Sequence, residues 1–162
     1  MRRRDRLSAD LLDHVLDVEP SRDAWLTYRP CRVVLRDGAI HERVVFAEAR
    51  PWFRYWGVDP EDDEGKAQVL VAEVASVLAS PHRLPAAIAM EVYRRGETRM
   101  GGTEFRLRLR DGRQLDVRMG NLVDFPAWPD GVGPDDVVEL LAPGPADAQV
   151  GSADFAWCLY ER

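Results

Sequence analysis

The sequence predicts an α+β fold: a single domain over residues 1–162 in which one antiparallel sheet, built on two related β-hairpins, carries two or three helices on one face. Three observations lead to this prediction. Apolar and polar residues alternate on either side of an Asp-Gly pair, clearly in 105–119 and less regularly in 31–46. Other segments repeat their apolar residues with the period of a helix. The composition, 46% hydrophobic and 31% charged, is that of an ordinary globular protein.

The clearest predicted element is the hairpin at 105–119. A two-residue Asp-Gly loop would place the apolar residues of its two strands on opposite faces. A three-residue loop at 110–112, with Gly112 in the left-handed conformation, puts them on the same face, so the sequence favours this loop. The predicted cross-strand pairs are Phe105 with Val117, Arg106 with Asp116 and Leu107 with Leu115.

The upstream hairpin resembles the downstream one in sequence. A shift of 74 positions aligns 31–62 with 105–136 and gives 9 identities in 32 positions, where unrelated sequences would give roughly two. An internal duplication is the favoured interpretation of this pseudo-repeat. The alternative is that Leu-Arg-Asp-Gly is a common spelling of a hairpin loop and that the remaining identities are chance. The cross-strand pairs predicted for the upstream copy are Arg32 with Glu42 and Val34 with Ile40.

The remaining elements follow from periodicity and from helix-end signals. A helix is predicted over 8–18, where a serine can cap the N-terminus. Residues 66–79 have helical spacing and predict a second helix, although the propensity of 69–71 also suits a strand. A third helix is predicted over 84–95, closed by a glycine. Two further strands are predicted at 137–141 and 155–160.

Charge is distributed unevenly along the chain. The net charge is −6, but residues 1–6 carry four arginines and one aspartate, which is +3, so the rest carries −9. We predict that 1–7 form a disordered basic leader. The acidic body argues against a nucleic-acid partner, since nucleic-acid binders normally carry a basic body. No apolar run is long enough to predict a membrane span.

The two cysteines, Cys31 and Cys158, lie in apolar strand-like runs. Small secreted domains that depend on disulfides carry more cysteines than this. We therefore expect two reduced core thiols and a cytoplasmic protein.

An aromatic segment at 50–57 has the most unusual composition in the chain. Aromatic and arginine side chains supply much of the binding energy at protein interfaces, so the segment is a candidate partner-binding site. The alternative is that its rings fill the open end of a sheet. The candidate residues are Trp52, Phe53, Arg54, Tyr55 and Trp56.

Sequence motifs of known catalytic sites are absent, and this favours a protein that is not an enzyme. The three histidines are scattered and no cysteine pair has ligand spacing, so the sequence predicts no metal and no cofactor. The alternative is a small enzyme in which His82, Glu97 and Asp124 perform acid–base chemistry. In the competing interpretation, these residues and nearby arginines only tie loops together.

Arginines on the downstream hairpin give a second alternative. A strand face that carries Arg106, Arg108 and Arg110 can follow a phosphate backbone. However, Asp111 and Asp116 interrupt this face, and no aromatic residue lies between the arginines to stack on bases. A solvated sheet face is the simpler interpretation.

Together these observations favour a non-catalytic protein-binding module of the immunity, antitoxin or accessory-factor type. It would act in the cytoplasm by binding another protein through its own acidic and aromatic surface. The sequence gives neither the identity of that partner nor the oligomeric state.

Overall fold

The computed structural model describes residues 1–142, 144 and 148–162. Contacts divide the chain into two compact units: unit 1 comprises Met1–Pro81 and Phe155–Arg162, and unit 2 comprises His82–Asp154. The α-helices among the described residues are α1 (Ala9–Asp17), α2 (Ala49–Trp56) and α3 (Ala86–Arg95). The strands are β1 (Ser21–Asp23), β2 (Leu26–Leu35), β3 (Ile40–Glu48), β4 (Ala67–Gln68), β5 (Val74–Ala79), β6 (Thr103–Leu109), β7 (Gln114–Met119), β8 (Val137–Leu141), β9 (Ala148–Val150) and β10 (Ala156–Tyr160).

Unit 1 is built on a six-stranded sheet with the order β1-β2-β3-β10-β4, and β5 pairs with β2. The hairpin strands β2 and β3 are antiparallel, whereas β10 runs parallel to both β3 and β4. All five residues of β10 are buried, as the sequence predicts for 155–160. In the core, Val15 of α1 clusters with Phe46 of β3 and Cys158 of β10. The C-terminal strand therefore completes a sheet that the N-terminal half begins.

Helix α1 begins and ends where the sequence predicts. The Ser8 hydroxyl accepts a hydrogen bond from the Leu11 N–H at 3.3 Å and so satisfies one of the free donors of the first turn. At the other end, the Arg29 guanidinium donates to the Leu16 carbonyl at 2.8 Å and also to the Val18 carbonyl. A cation at this end is favourable because the last carbonyls of a helix carry partial negative charge.

Unit 2 has a four-stranded sheet with the order β8-β6-β7-β9. Helix α3 packs on it through Ala89 and Val92, which cluster with Phe105, Leu107 and Leu115 of the hairpin. Helix α3 ends at Gly96, as predicted, and its φ of 79° is one that glycine adopts readily. The strand predicted at 137–141 is β8.

The predicted register is confirmed for the hairpin of unit 2, and for that of unit 1 it is confirmed next to the loop; the other predicted pair of unit 1, Arg32 with Glu42, falls at a register shift and meets only through its side chains, at 3.1 Å. In unit 2, Arg106 lies opposite Asp116 and Leu107 opposite Leu115. In unit 1, Val34 lies opposite Ile40, and a register shift follows between Cys31 and Val33. The three-residue loop forms in both hairpins because its third position is glycine, with a φ of 88° at Gly38 and also at Gly112.

The two units repeat the same arrangement around their hairpins. The Gly38 N–H donates to the Leu35 carbonyl at 2.9 Å, and the Gly112 N–H donates to the Leu109 carbonyl at the same distance. In each unit a 3-10 turn precedes a strand that pairs antiparallel with the first hairpin strand, and another strand runs parallel to the second. These turns are Val71–Glu73 and Pro134–Asp136. The likeness agrees with a duplication, which stays a prediction.

The α+β class is confirmed and three α-helices are present among the described residues, but α2 replaces the helix predicted over 66–79, and the hairpins lie in two sheets and do not share one. Each hairpin already has a neighbour on both outer edges. In unit 1 these are β5 and β10, and in unit 2 they are β8 and β9. Among the described residues, both outer edges of each hairpin are thus paired within its own unit. That the chain is a single domain stays a prediction.

The helix predicted over 66–79 is wrong. This segment forms β4, the turn Val71–Glu73 and then β5. Val74 and Val77 are both buried although they lie three residues apart, because the pairing of β5 with β2 shifts register between Val34 and Leu35. The shift gives the strand the apparent spacing of a helix. β-Branched valines and an available strand edge decide the outcome.

The leader predicted for 1–7 makes specific contacts in the structure, and its disorder stays a prediction. The Arg4 guanidinium contacts Glu61 and, at 3.1 Å, Asp59, while Arg2 pairs with Asp62 at 2.7 Å. The Arg4 side chain is only 9% exposed. The basic leader therefore neutralises the acidic segment at 59–62, a pairing between distant parts of the chain that the charge pattern does not reveal.

Both cysteines are free and buried, as the sequence predicts. Burial raises the pKa of the Cys158 thiol far above its ordinary value, and the nearby Cys31 and Glu73 act in the same direction. Because the thiolate is the reactive form, the thiol is expected to be inert in the folded protein.

Candidate functional site

The predicted partner-binding segment forms helix α2, which follows β3 directly and ends at Gly57. One face of α2 is part of the core of unit 1. Trp52 is fully buried and stacks on the half-buried Trp56 with ring centres 5.8 Å apart. Both rings contact Trp157 of β10 edge to face, at 5.6 and 5.9 Å. These two candidates thus fill the end of the sheet, as the alternative interpretation proposes.

The other face of α2 is open to solvent. Arg54 and Tyr55 are exposed, and Phe53 is half-buried. The Tyr55 ring meets the Trp25 ring in a T-shaped contact with centres 5.7 Å apart. Trp25 is 63% exposed, an unusual state for the largest side chain. The exposed aromatic pair therefore combines one predicted residue with one that the sequence does not single out.

A tight turn holds Trp25 in its exposed place. β1 and β2 pair with Asp23 opposite Leu26, which leaves Ala24 and Trp25 as a two-residue loop. Ala24 has a φ of 53° and is the one non-glycine residue with positive φ in the part of the chain that the structure describes. Such a conformation costs an L-residue about 1–2 kcal/mol. This φ is a property of the folded chain, so the sequence offers no comparable signal for Trp25.

Two adjoining cavities, each of about 340 Å³, lie beside this aromatic pair in unit 1. We call them together the arginine trough. Both are lined by Glu48, Pro51, Tyr160 and Arg162. Arg22, Trp25 and Arg29 line the first cavity, and Arg6, Arg50 and Glu161 line the second.

The trough carries an excess of positive charge. Arg162 pairs with Glu48 at 3.1 Å. Arg6, Arg22 and Arg50 are exposed and form no ion pair with any residue that the structure describes. Five arginines and two glutamates line the trough, which gives +3 in a chain of net charge −6.

Tyr160 lies between the two cavities and is only 3% exposed. Burial raises the pKa of its phenol, and the carboxylate of Glu48 raises it further, while Arg162 and Arg29 oppose this shift. Tyr160 is therefore neutral near neutral pH and adds no negative charge to the trough.

The three residues of the acid–base alternative lie in unit 2 and have different surroundings. Asp124 is fully buried, and its carboxylate accepts a hydrogen bond from the Tyr93 hydroxyl at 2.6 Å. Glu97 is exposed beyond the end of α3. The backbone carbonyl of His82 accepts a hydrogen bond from the Trp128 indole at 2.8 Å. The Tyr93–Asp124 bond ties α3 to the loop that follows β7, and the enzyme alternative stays a prediction.

The three hairpin arginines of the nucleic-acid alternative all have protein partners. Arg106 is 4% exposed and is held by two hydrogen bonds, so it is not presented to solvent. The partners are Asp116 for Arg106 at 2.8 and 3.0 Å, Glu139 for Arg108 at 2.6 Å and the Asp135 carbonyl for Arg110 at 2.8 Å. These bonds favour the solvated sheet face over a phosphate-binding face.

Within the described residues, no group of three or more histidine, cysteine, aspartate or glutamate side chains is arranged to hold a metal ion. The helices described here are all too short or too polar to cross a membrane. No protein-family model, curated protein or solved structure matches the chain.

Proposed function

We propose that the chain is a non-catalytic protein-binding module of the cytosol, of the immunity, antitoxin or accessory-factor type. Its binding site would be the aromatic–arginine surface of unit 1. This surface consists of Trp25, Tyr55, Arg22, Arg50 and Arg54. One observation carries the proposal: the exposed Trp25–Tyr55 pair adjoins arginines that make no ion pair among the described residues.

The composition of this surface suits a small, strong interface. Tryptophan, tyrosine and arginine are the residues whose truncation most often weakens protein complexes. Covering the Trp25 ring removes apolar area from water, worth roughly 25 cal/mol per Å². The short β1–β2 turn fixes the backbone beside this ring, so little flexibility is lost when a partner binds.

The proposed surface is basic, whereas the sequence suggests an acidic one. The acidic segment at 59–62 is occupied by Arg2 and Arg4 of the leader. By contrast, Arg22, Arg50 and Arg54 are exposed and make no ion pair within the described chain. We therefore propose that the partner is acidic where it meets this surface, because complementary charge favours association.

Comparative affinity purification tests the proposal. Tagged wild-type protein and the double variant W25A/Y55A are used to capture proteins from cells of the source organism, and captured proteins are quantified by mass spectrometry. We expect a specific partner to be recovered with the wild type and to fall by about tenfold or more with the variant, since hot-spot truncations have effects of this size.

Leu78→Ala is the matched control, because Leu78 is 64% exposed and Trp25 is 63% exposed. Leu78 lies on β5, outside the proposed surface. The control is expected to recover the partner as the wild type does. Equal recovery with W25A/Y55A and the wild type would show that the surface is not the binding site.

A further inference from the structure

We infer that the arginine trough receives an extended acidic peptide segment of the protein partner. The inference rests on the proposed function and adds the chemistry of the bound segment. The trough begins beside Trp25, so an occupant would continue from the aromatic–arginine surface into the cavities lined by Tyr160 and Arg162.

The size and form of the trough suit a chain segment. Each cavity has about 340 Å³, within the range of roughly 300–1,000 Å³ that is typical of ligand sites. The cavities share four lining residues and are therefore neighbours. Two neighbouring cavities that both contain cations suit a ligand whose negative charges are spaced along its length.

The charges of the trough favour carboxylates. Arg22 lines one cavity, Arg6 and Arg50 line the other, and none of them forms an ion pair with a described residue. The guanidinium group offers a planar fork of donors that matches a carboxylate. A cleft lined by one sign of charge also focuses its field and attracts a ligand of opposite charge.

Two glutamates in the lining distinguish a peptide from a nucleic acid. Glu48 is paired with Arg162 at 3.1 Å, and the Glu161 carboxylate accepts a hydrogen bond from the Arg4 N–H at 3.2 Å, so each keeps only part of its accepting capacity; a phosphate backbone has no hydrogen-bond donor to offer that part. A peptide presents a backbone N–H at almost every residue and can donate to both carboxylates. Acidic side chains together with backbone donors therefore match the whole lining, and a polyphosphate chain matches only the arginines.

A titration with a fluorescein-labelled oligoglutamate peptide tests the inference by fluorescence anisotropy. We expect the full-length protein to bind the peptide at low salt and to lose affinity as salt rises, since exposed charges are screened beyond about 10 Å at ~0.1 M salt. The affinity of the variant R22A/R50A for the peptide is expected to be lower by about tenfold or more.

The matched control is R36A/R110A, which removes the same charge from the two hairpin loops, where both arginines are exposed. Its affinity is expected to stay within about twofold of the wild type. An equal loss in both double variants would overturn the inference, because binding would then follow net charge alone. No binding of the peptide to the wild type, or equal binding of an oligothymidylate of the same charge, would also overturn it.

Amide NMR shifts of the wild-type protein give a measurement that does not depend on variant folding. The peptide is expected to shift the amides of Arg22, Thr27, Arg50 and Tyr160, and shifts elsewhere alone would contradict the inference. The proposed function fails separately: if W25A/Y55A still recovers every partner, the surface is wrong whatever the peptide does. If partner recovery depends on Trp25 and Tyr55 but not on R22A/R50A, only the acidic segment is wrong.

Discussion

At the scale of single residues, the two hairpins place the same kind of ion pair in different surroundings. In unit 2 the Arg106 side chain is 5% exposed and its Asp116 partner 28%. In unit 1 the corresponding figures are 35% for Arg32 and 39% for Glu42. A buried cation that loses its partner cannot recover its hydration, whereas an exposed one can.

We therefore predict that Asp116→Ala lowers the free energy of unfolding by about 3 kcal/mol, because it leaves Arg106 buried without its carboxylate. Glu42→Ala is expected to cost about 1 kcal/mol or less. Urea unfolding of both variants measures the difference. An equal loss of unfolding free energy in the two variants would show that burial of the arginine does not decide the effect.

Ala24 allows a second prediction at this scale. Its φ of 53° is strained for alanine and unstrained for glycine. Replacing it with glycine should raise the free energy of unfolding by about 0.5–1 kcal/mol, since relief of strain exceeds the added entropy of the unfolded chain. Urea unfolding tests this, with Ala75→Gly in β5 as a control that should destabilise. A less stable A24G protein would show that the turn is not strained.

Single residues also show the limit of prediction from sequence. Trp52 and Trp56 share a face of α2 because they are four residues apart, but only the sheet decides that this face is buried. Trp25 lies between Ala24 and Leu26, outside the aromatic segment, and its exposure depends on a two-residue turn. The candidate segment was recognisable from composition, whereas the division of its rings between core and surface was not.

At the scale of elements, ion pairs join the leader to the acidic segment at 59–62 within unit 1. Glu61 hydrogen-bonds to Arg4, and this bond lowers the pKa of the Glu61 carboxyl to about 2 from an ordinary 4.5. A carboxyl with a lowered pKa stabilises the fold when ionised. That stabilisation is fully present above pH 4.5 and is lost as the pH falls towards 2.

Glu61→Gln should therefore lower the free energy of unfolding near neutral pH, by about 1 kcal/mol or less because the pair is partly exposed. The difference between variant and wild type should shrink as the pH falls below 4.5. Unfolding by urea across this range is the measurement. Asp135→Asn, at an exposed position in unit 2, serves as a control. A difference that stayed constant with pH would contradict the ion pair.

Elements formed by local interactions were the most predictable. The hairpin registers follow from a glycine in the third loop position and from alternation on either side, all within a short stretch. Strand β5 depends on pairing with β2, far away in sequence, and its register shift imitates helical spacing. The leader likewise depends on acids more than fifty residues away, at Asp59 and beyond.

At the scale of the whole molecule, the chain leaves unit 1 after Pro81, forms unit 2 and returns at Phe155. The returning strand β10 lies between β3 and β4 and carries Trp157 into the aromatic cluster. Unit 2 has its own sheet and core from a continuous stretch of sequence. The integrity of unit 1 therefore depends on both ends of the chain.

Deleting residues 155–162 should unfold unit 1 while unit 2 keeps its structure, because the deletion removes a fully buried strand from only one sheet. Hydrogen exchange followed by mass spectrometry measures this. Amides of β2 and β3 should lose protection, and those of β6 and β7, which serve as the control in the same sample, should retain it. Equal loss in both units would show that they unfold as one.

The arginine trough is a property of the whole chain of unit 1 and could not be read from the sequence. Its arginines lie at positions 6, 22, 29, 50 and 162, and only the two at 22 and 29 are near each other in sequence. The net charge of −6 even points away from a basic site. Only the folded chain brings these cations together.

Site-specific photocrosslinking tests the central claim most directly. A photoreactive amino acid is placed at Thr27, which is exposed and lines the trough, or at Leu78 on β5, and the protein is irradiated in living cells. We predict that a partner is crosslinked from position 27 and not from position 78. This crosslink should be lost when Tyr55 is replaced by alanine. Crosslinking from position 78 alone, or from position 27 regardless of Tyr55, would contradict it.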